Sequence, residues 1–254
     1  VALVVLDHVL HLDAALAHYK KARADLDKLA EGGPAGGKIH PQYVARLLSE
    51  LADDDAVFTC DVGTQSVWAA RYLKMNGKRR LIGSFNHASM ANAMPQAIGA
   101  QASHKGRQVI SMSGDGGFTM MMGDFISLSQ LGLPVKVVVL NNGTLGFVEL
   151  EMKASGFVDT AVDLKNPNFA AMAEAMGIKG IRVEDPAKLE SALKEALAHK
   201  GPVLVDVVSA RQELVMPPKA TLDQAYHFGL FTLKAVMDGR ASELVDLART
   251  NLRI

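Results

Sequence analysis

The sequence predicts an α/β protein: a parallel sheet with helices on both faces. Five short runs are almost continuously apolar, AVFTCD, RQVISMSG, VKVVVLNN, IKGIRV and PVLVDVVS. Runs of this kind suit strands covered on both sides. Helical periodicity fills the intervals between them, as the crossovers of a parallel sheet require. Several of the runs end in polar turn residues, and ligands of open α/β sheets bind at the carboxyl ends of strands. Of the 254 residues, 49% are hydrophobic and 21% charged, which suits a globular core. Lys+Arg and Asp+Glu both total 27, so no basic excess points to nucleic acid. The single cysteine, Cys60, excludes an internal disulfide framework and fits a reducing compartment. The opening VALVVLDHVL lacks the basic start of a signal peptide. No run approaches the roughly 20 apolar residues that span a bilayer. A soluble, cytoplasmic chain is expected.

The elements follow in order. Residues 8–30 place Leu12, Leu16, Tyr19, Ala22, Leu26 and Leu29 at helical spacing. EGGPAGGK, residues 31–38, is a linker, so 1–38 is set apart as the first segment. From residue 39 a helix follows Pro41 (QYVARLLSEL), then the strand run that ends at Asp61. Helices around SVWAARYL and ANAMPQAIGAQA precede the run RQVISMSG and its turn Gly114-Asp115-Gly116-Gly117. A Met-rich helix, MMMGDFISLSQL, leads to VKVVVLNN. Helix FAAMAEAMG, strand IKGIRV, helix PAKLESALKEALAHK and strand PVLVDVVS complete a domain at 39–212. Residues 213–254 form a C-terminal segment, helical from 222, with leucines interleaved with Arg240, Arg249 and Arg253. That helix would either lie in a bilayer interface or dock on the protein.

The informative pair is Asp115 and Asn142. Each ends a strand run, and one short helical stretch separates them, so their strands should be neighbours. That puts a carboxylate and an amide oxygen side by side, and both are hard ligands suited to Mg²⁺. The adjacent glycines let a diphosphate approach the backbone. Asp-Gly and Asn-Asn-Gly alone are common turns. Their occurrence 27 positions apart, both at strand ends, favours a metal-bound diphosphate site.

GDGGF, then a helix and VVVLNN, resembles the GDG…NN signature of thiamine diphosphate (ThDP) enzymes. The longer stretches SFNHASMANAMPQAIGAQ, CDVGTQSVWAARYLKMNGKRR and NNGTLGFVELEMKASGF resemble the pyruvate oxidases, most closely the bacterial quinone-linked pyruvate dehydrogenases, in their C-terminal portion. The resemblance implies that Asp115, Asn142 and the Thr144 carbonyl bind Mg²⁺. It implies diphosphate contacts at Gly116, Gly117 and the stretch Gly143, Thr144, Leu145, Gly146, Phe147 and Val148. Val62, Gly63 and Thr64 would line the other side. In Ala88-Ser89-Met90, Met90 would sit beneath the cofactor and the Ala88 carbonyl would accept from its 4′-amino group. On composition alone, Met90 is as readily a core methionine. Phe147 and Glu151 would face substrate or the route to an electron acceptor. One of Glu149 and Glu151 would sit on a solvated face, and His87 is either an acid–base group or a structural histidine.

By the same resemblance, residues 1–38 are the connector remnant of a missing FAD-binding middle domain, and a catalytic glutamate lies on a further N-terminal domain or second subunit. The implied enzyme decarboxylates pyruvate oxidatively to acetate and CO₂, passing electrons through FAD to a quinone. It would be a homotetramer associated with the inner face of the cell membrane, with residues 213–254 meeting lipid. The alternatives are an acetolactate synthase-like carboligase and a non-catalytic diphosphate-binding module.

Overall fold

In the computed structural model, residues 2–33, 36–215 and 221–252 are described, with side chains from His11 onward. Pro34 and Ala35 of the expected linker, and Arg253 of the C-terminal basic set, lie outside them. Helix α1 (Ala2–Leu29) leads into α2 (Pro41–Leu51), whose first residue is a proline that loses no helical hydrogen bond there. Then follow β1 (Val57–Cys60), α3 (Thr64–Tyr72), β2 (Arg80–Gly83), α4 (Ala93–Ser103) and β3 (Val109–Gly114). Helix α5 (Asp115–Met120), a 3-10 turn (Met122–Phe125) and α6 (Ile126–Gln130) connect to β4 (Lys136–Asn141). Next come α7 (Gly146–Ala154), α8 (Phe169–Ala175), β5 (Lys179–Val183), α9 (Pro186–Ala198) and β6 (Val203–Val208). Helices α10 (Leu222–Met237) and α11 (Ala241–Leu252) follow.

The six strands form one sheet in the order β2-β1-β3-β4-β6-β5, every pair parallel. Strands β1, β3 and β4 are buried along their whole length, as their almost continuously apolar runs lead one to expect. Residues of α2, α3 and α9 close one face around Leu48, Trp68 and Leu193. Residues of α4, α5, α6 and α8 close the other around Met94, Phe118, Leu128 and Phe169. Cys60 and Trp68 are both core residues. The chain leaves β1 for one face and β3 for the other, so a crevice opens between their carboxyl ends, the switch point where such sheets bind ligands.

Three details depart from the sequence reading. Strand β2 is an extra edge strand of four residues that alternate between exposed and half-buried, too short for a pattern. The Met-rich helix is three short pieces, and the first begins at Asp115 itself. GFVELEMKA is helix α7, so the alternation of its two glutamates has no β meaning.

The C-terminal pair is docked on the domain. Phe231 and Ala235 of α10 are fully buried, and Lys234 Nζ donates to the Gly156 carbonyl at 2.7 Å. On α11, Asn251 bridges the backbone of Gln212 and Leu214 at 2.7 and 2.9 Å. Leu233, Val236 and Met237 remain exposed on the outer face. Among the described residues, no helix is long and apolar enough to cross a membrane.

Candidate functional site

Strands β3 and β4 pair in parallel with Gly114 opposite Leu140, so Asp115 and Asn142 emerge together at the carboxyl edge. They border a cleft of about 370 Å³ over the β1–β3 crevice. One wall is the end of β1 and the start of α3, from Asp61 to Ser66. The floor is Gly114 to Gly117, and the far wall runs from Asn142 to Val148 and on to Glu151. Ala88 and Met90 reach in from the loop after β2. Of the residues assigned to cofactor, metal or substrate in the sequence, all but Gly143 and Ser89 line this cleft; His87 and Glu149, whose roles were left open, do not. Gly143 binds Asp115 from behind, and Ser89 is exposed beside it, with its hydroxyl 3.1 Å from that of Ser84.

The Asp115 carboxylate is 2% exposed and held on both oxygens. Oδ1 accepts from Gly116 N at 2.9 Å. Oδ2 accepts from Asn142 N, Gly143 N and Asn166 Nδ2 at 3.1, 2.7 and 2.8 Å. Burial pushes its pKa up, against the pull of these hydrogen bonds. A cation placed against it would favour the ionised form. The Asn142 side-chain oxygen accepts from Thr144 N at 3.1 Å, which folds the loop back over its own amide.

The floor depends on glycine. A Cβ on Gly116 would lie 2.8 Å from Leu145 Cδ2 and 3.3 Å from Met90 Cε, closing the cleft. At the start of α3, Gly63 has φ +150°, a conformation that side chains disfavour, and it turns β1 sharply into the helix. The N-termini of α3 and α7 both open on the cleft, and each offers amides without helical partners to an anion. Met90 and Phe147 are 38% and 37% exposed, so Met90 is a cleft residue and not a core one. His87 is exposed on the same loop.

Two residues the sequence reading passed over, Asp61 and Asn166, belong to the site, and Glu149, whose place it left open, lies just behind it. Asp61, 2% exposed, accepts from Ala93 N at 2.9 Å and Gly114 N at 3.3 Å, joining the loop after β2 to the floor. Burial pushes its pKa up to about 6. Its position at a strand end was the available signal. Asn166 joins Asp115 to Asn141, contacting the latter's Oδ1 at 2.9 Å, from a loop with no motif of its own. Glu149 is buried beneath the loop, while Glu151 is exposed and lines the cleft.

Residues 61–207 match the family described as thiamine pyrophosphate enzyme, C-terminal TPP binding domain. The chain belongs to this family, and the cleft lies within the matched stretch. It is 40% identical over 216 residues to the Bacillus subtilis protein named as thiamine pyrophosphate-containing protein YdaP, covering 85% of this chain and 38% of that one. It is 36% identical over 188 residues to the mitochondrial acetolactate synthase catalytic subunit of Saccharomyces cerevisiae, covering 72% and 27%. To an acetolactate synthase of Bacillus subtilis it is 31% identical over 212 residues, covering 80% and 37%. The chain thus spans well under half the length of these relatives. The likeness expected from the sequence holds at the level of the ThDP enzymes; pyruvate oxidases in particular are not singled out.

Proposed function

We propose that this chain supplies the Mg²⁺–ThDP diphosphate site of a ThDP-dependent enzyme acting on pyruvate. The observation behind it is the convergence of the Asp115 carboxylate and the Asn142 amide at one cleft mouth, on adjacent parallel strands. The residues fit the group. The donor set is all hard oxygen, the Asp115 carboxylate, the Asn142 side chain and the Thr144 carbonyl, as Mg²⁺ prefers. Gly116, Gly117 and the amides opening α3 and α7 would receive the diphosphate, and Met90 and Ala88 would meet the rings. Bound ThDP supplies the electron sink for decarboxylation. Phe147 and Glu151, on the outer turn of α7, would border the substrate. Calorimetry of ThDP binding with and without Mg²⁺ tests this reading: Mg²⁺-dependent binding supports it, and binding indifferent to Mg²⁺ overturns it.

For the whole enzyme we favour oxidative decarboxylation of pyruvate to acetate, with FAD and a quinone as acceptors and the remaining domains or subunit supplying the catalytic glutamate. The exposed apolar face of α10 suits the peripheral membrane location that goes with it, and a homotetramer is the expected assembly. The acetolactate synthases among the relatives support a carboligase as much. Pyruvate given to the complete protein with a reducible dye separates the two, as acetate with dye reduction or acetolactate without it.

A further inference from the structure

Glu149 is a buried acid, 3% exposed, that does not line the cleft. Its Oε1 accepts from Lys153 Nζ at 2.6 Å and Gln212 Nε2 at 3.1 Å. Lys153, itself 2% exposed, also reaches Gln212 Oε1 and Glu243 Oε1, each at 2.7 Å. Arg211 Nη2 stands 3.3 Å from Glu149 Oε2 and 2.6 Å from Asp163. Burial alone would raise the Glu149 pKa, but hydrogen bonds from Lys153 and Thr144 and the charges of Lys153 and Arg211 outweigh it and hold the carboxyl low. Lys153 and Arg211 pair with the buried carboxylate and offset its desolvation, and a further donor shares it. That donor is Thr144, whose Oγ1 donates to Oε2 at 2.6 Å.

We infer that Glu149 is a positioning residue for the metal-binding loop, acting through the Thr144 hydroxyl. The inference rests on the reading of the cleft as a Mg²⁺–ThDP site. The backbone fixes the loop on either side of Thr144. Gly143 N is tied to Asp115, the Gly143 carbonyl accepts from Leu164 N at 2.9 Å, and Leu145 N donates to the Val162 carbonyl at 2.9 Å. At position 144 itself the side chain adds the anchor. The hydroxyl has one proton and two acceptors in reach, Glu149 at 2.6 Å and the Val162 carbonyl at 3.2 Å. The charged, nearer acceptor takes it. Thr144 is therefore tethered to an acid that Lys153 and Gln212 hold in place, and the peptide assigned the third metal oxygen is fixed before any cation arrives.

The test is calorimetry of Mg²⁺-dependent ThDP binding by the full chain, with the melting temperature of each variant measured without metal. Thr144→Val removes the hydroxyl and keeps the shape and the carbonyl; it should weaken binding about tenfold, as loss of such an outer partner does. Glu149→Gln should do the same, because Lys153 keeps the amide oxygen and leaves Thr144 facing an N–H donor in place of an acceptor, and Thr144→Ser should bind as the wild type. The Thr144→Val/Glu149→Gln double variant should be no weaker than the poorer single, because both changes break one link. Additive losses overturn the inference, as does wild-type affinity in Thr144→Val. If Glu149→Gln fails to fold, Thr144→Val against Thr144→Ser decides alone, since the Lys153 pair is intact in both. Absence of Mg²⁺-dependent binding by the wild type overturns the reading of the cleft and this inference together.

Discussion

The Asp61 carboxylate stands where a Cβ on Gly117 would have to go. A Cβ there would fall well inside contact distance of Oδ2, 2.9 Å from Cγ and 3.2 Å from the Ala91 backbone nitrogen. Asp61 cannot yield easily, because Ala93 N and Gly114 N hold its two oxygens. In a helix, alanine would gain about 1 kcal/mol over glycine. Overpacking against fixed neighbours costs about 1–3 kcal/mol and wins here. Gly117→Ala is therefore expected to lower stability by up to about 2 kcal/mol by denaturant unfolding. A variant as stable as the wild type would mean that this contact is slack.

Asp115→Asn bears on the metal. Aspartate is the one carboxylate among the proposed protein ligands, so Mg²⁺-dependent ThDP binding should weaken at least about tenfold. Asparagine has a single acceptor oxygen where Asp115 accepts from four donors, so some stability is lost as well. Calorimetry on the folded variant separates the two effects, and unchanged affinity would remove Asp115 from the ligand set.

Much of this site could be read from the sequence, for a simple reason. Short, nearly continuous apolar runs such as VKVVVL suit strands covered on both faces, so Asp115 and Asn142, which follow two such runs joined by one short helical stretch, were expected to share an edge. The glycines came with that edge, whereas Met90, on the loop after β2, was assigned only by the resemblance to ThDP enzymes. Burial of Glu149 could not be read, because its partners come from elements far apart in the chain: Lys153 one turn along α7, Gln212 after β6 and Thr144 in the loop before. Asn166 was hidden for the same reason, since no local pattern marks a donor supplied by a distant loop. Strand β2 was missed because an edge strand of four residues, opened by Arg80, has neither the length nor the apolar continuity to stand out.

Ala88 has φ +51°, a left-handed conformation that costs a residue with a Cβ about 1–2 kcal/mol. Its amide is held there by the Ser84 carbonyl at 2.7 Å. Glycine would relieve that strain but gain about 0.4–1 kcal/mol of freedom when unfolded. Ala88→Gly should therefore match or exceed the wild type by about 0.5 kcal/mol, and Ala88→Val should fall below it. Thermal unfolding of the two variants checks the order, and a reversed order would show that the loop is not held at this φ in solution.

Glu213 gives the fold a dependence on pH. Burial pushes its pKa from 4.5 up to about 7, against a hydrogen bond from Gln42. Because the folded state holds the proton more tightly than the unfolded chain, this contribution is complete below about pH 4.5 and is lost as pH rises through about 7. The full span is worth roughly 3 kcal/mol at most. Among the described residues, His40 and Tyr72 are titratable groups that face Glu213. His40 Nδ1 is 2.6 Å from Oε2, and a protonated imidazole would favour the carboxylate and reduce the span at acid pH. Tyr72 feels the Glu213 charge but stays neutral here, its hydroxyl pushed up to about 12 chiefly by burial. Glu213→Gln keeps the shape of the neutral acid and cannot ionise. Its stability relative to the wild type should rise by about 1–2 kcal/mol between pH 5 and pH 8, measured by urea unfolding at each pH. A difference that stays flat across that range would show that Glu213 is already ionised at pH 5, paired with a protonated His40.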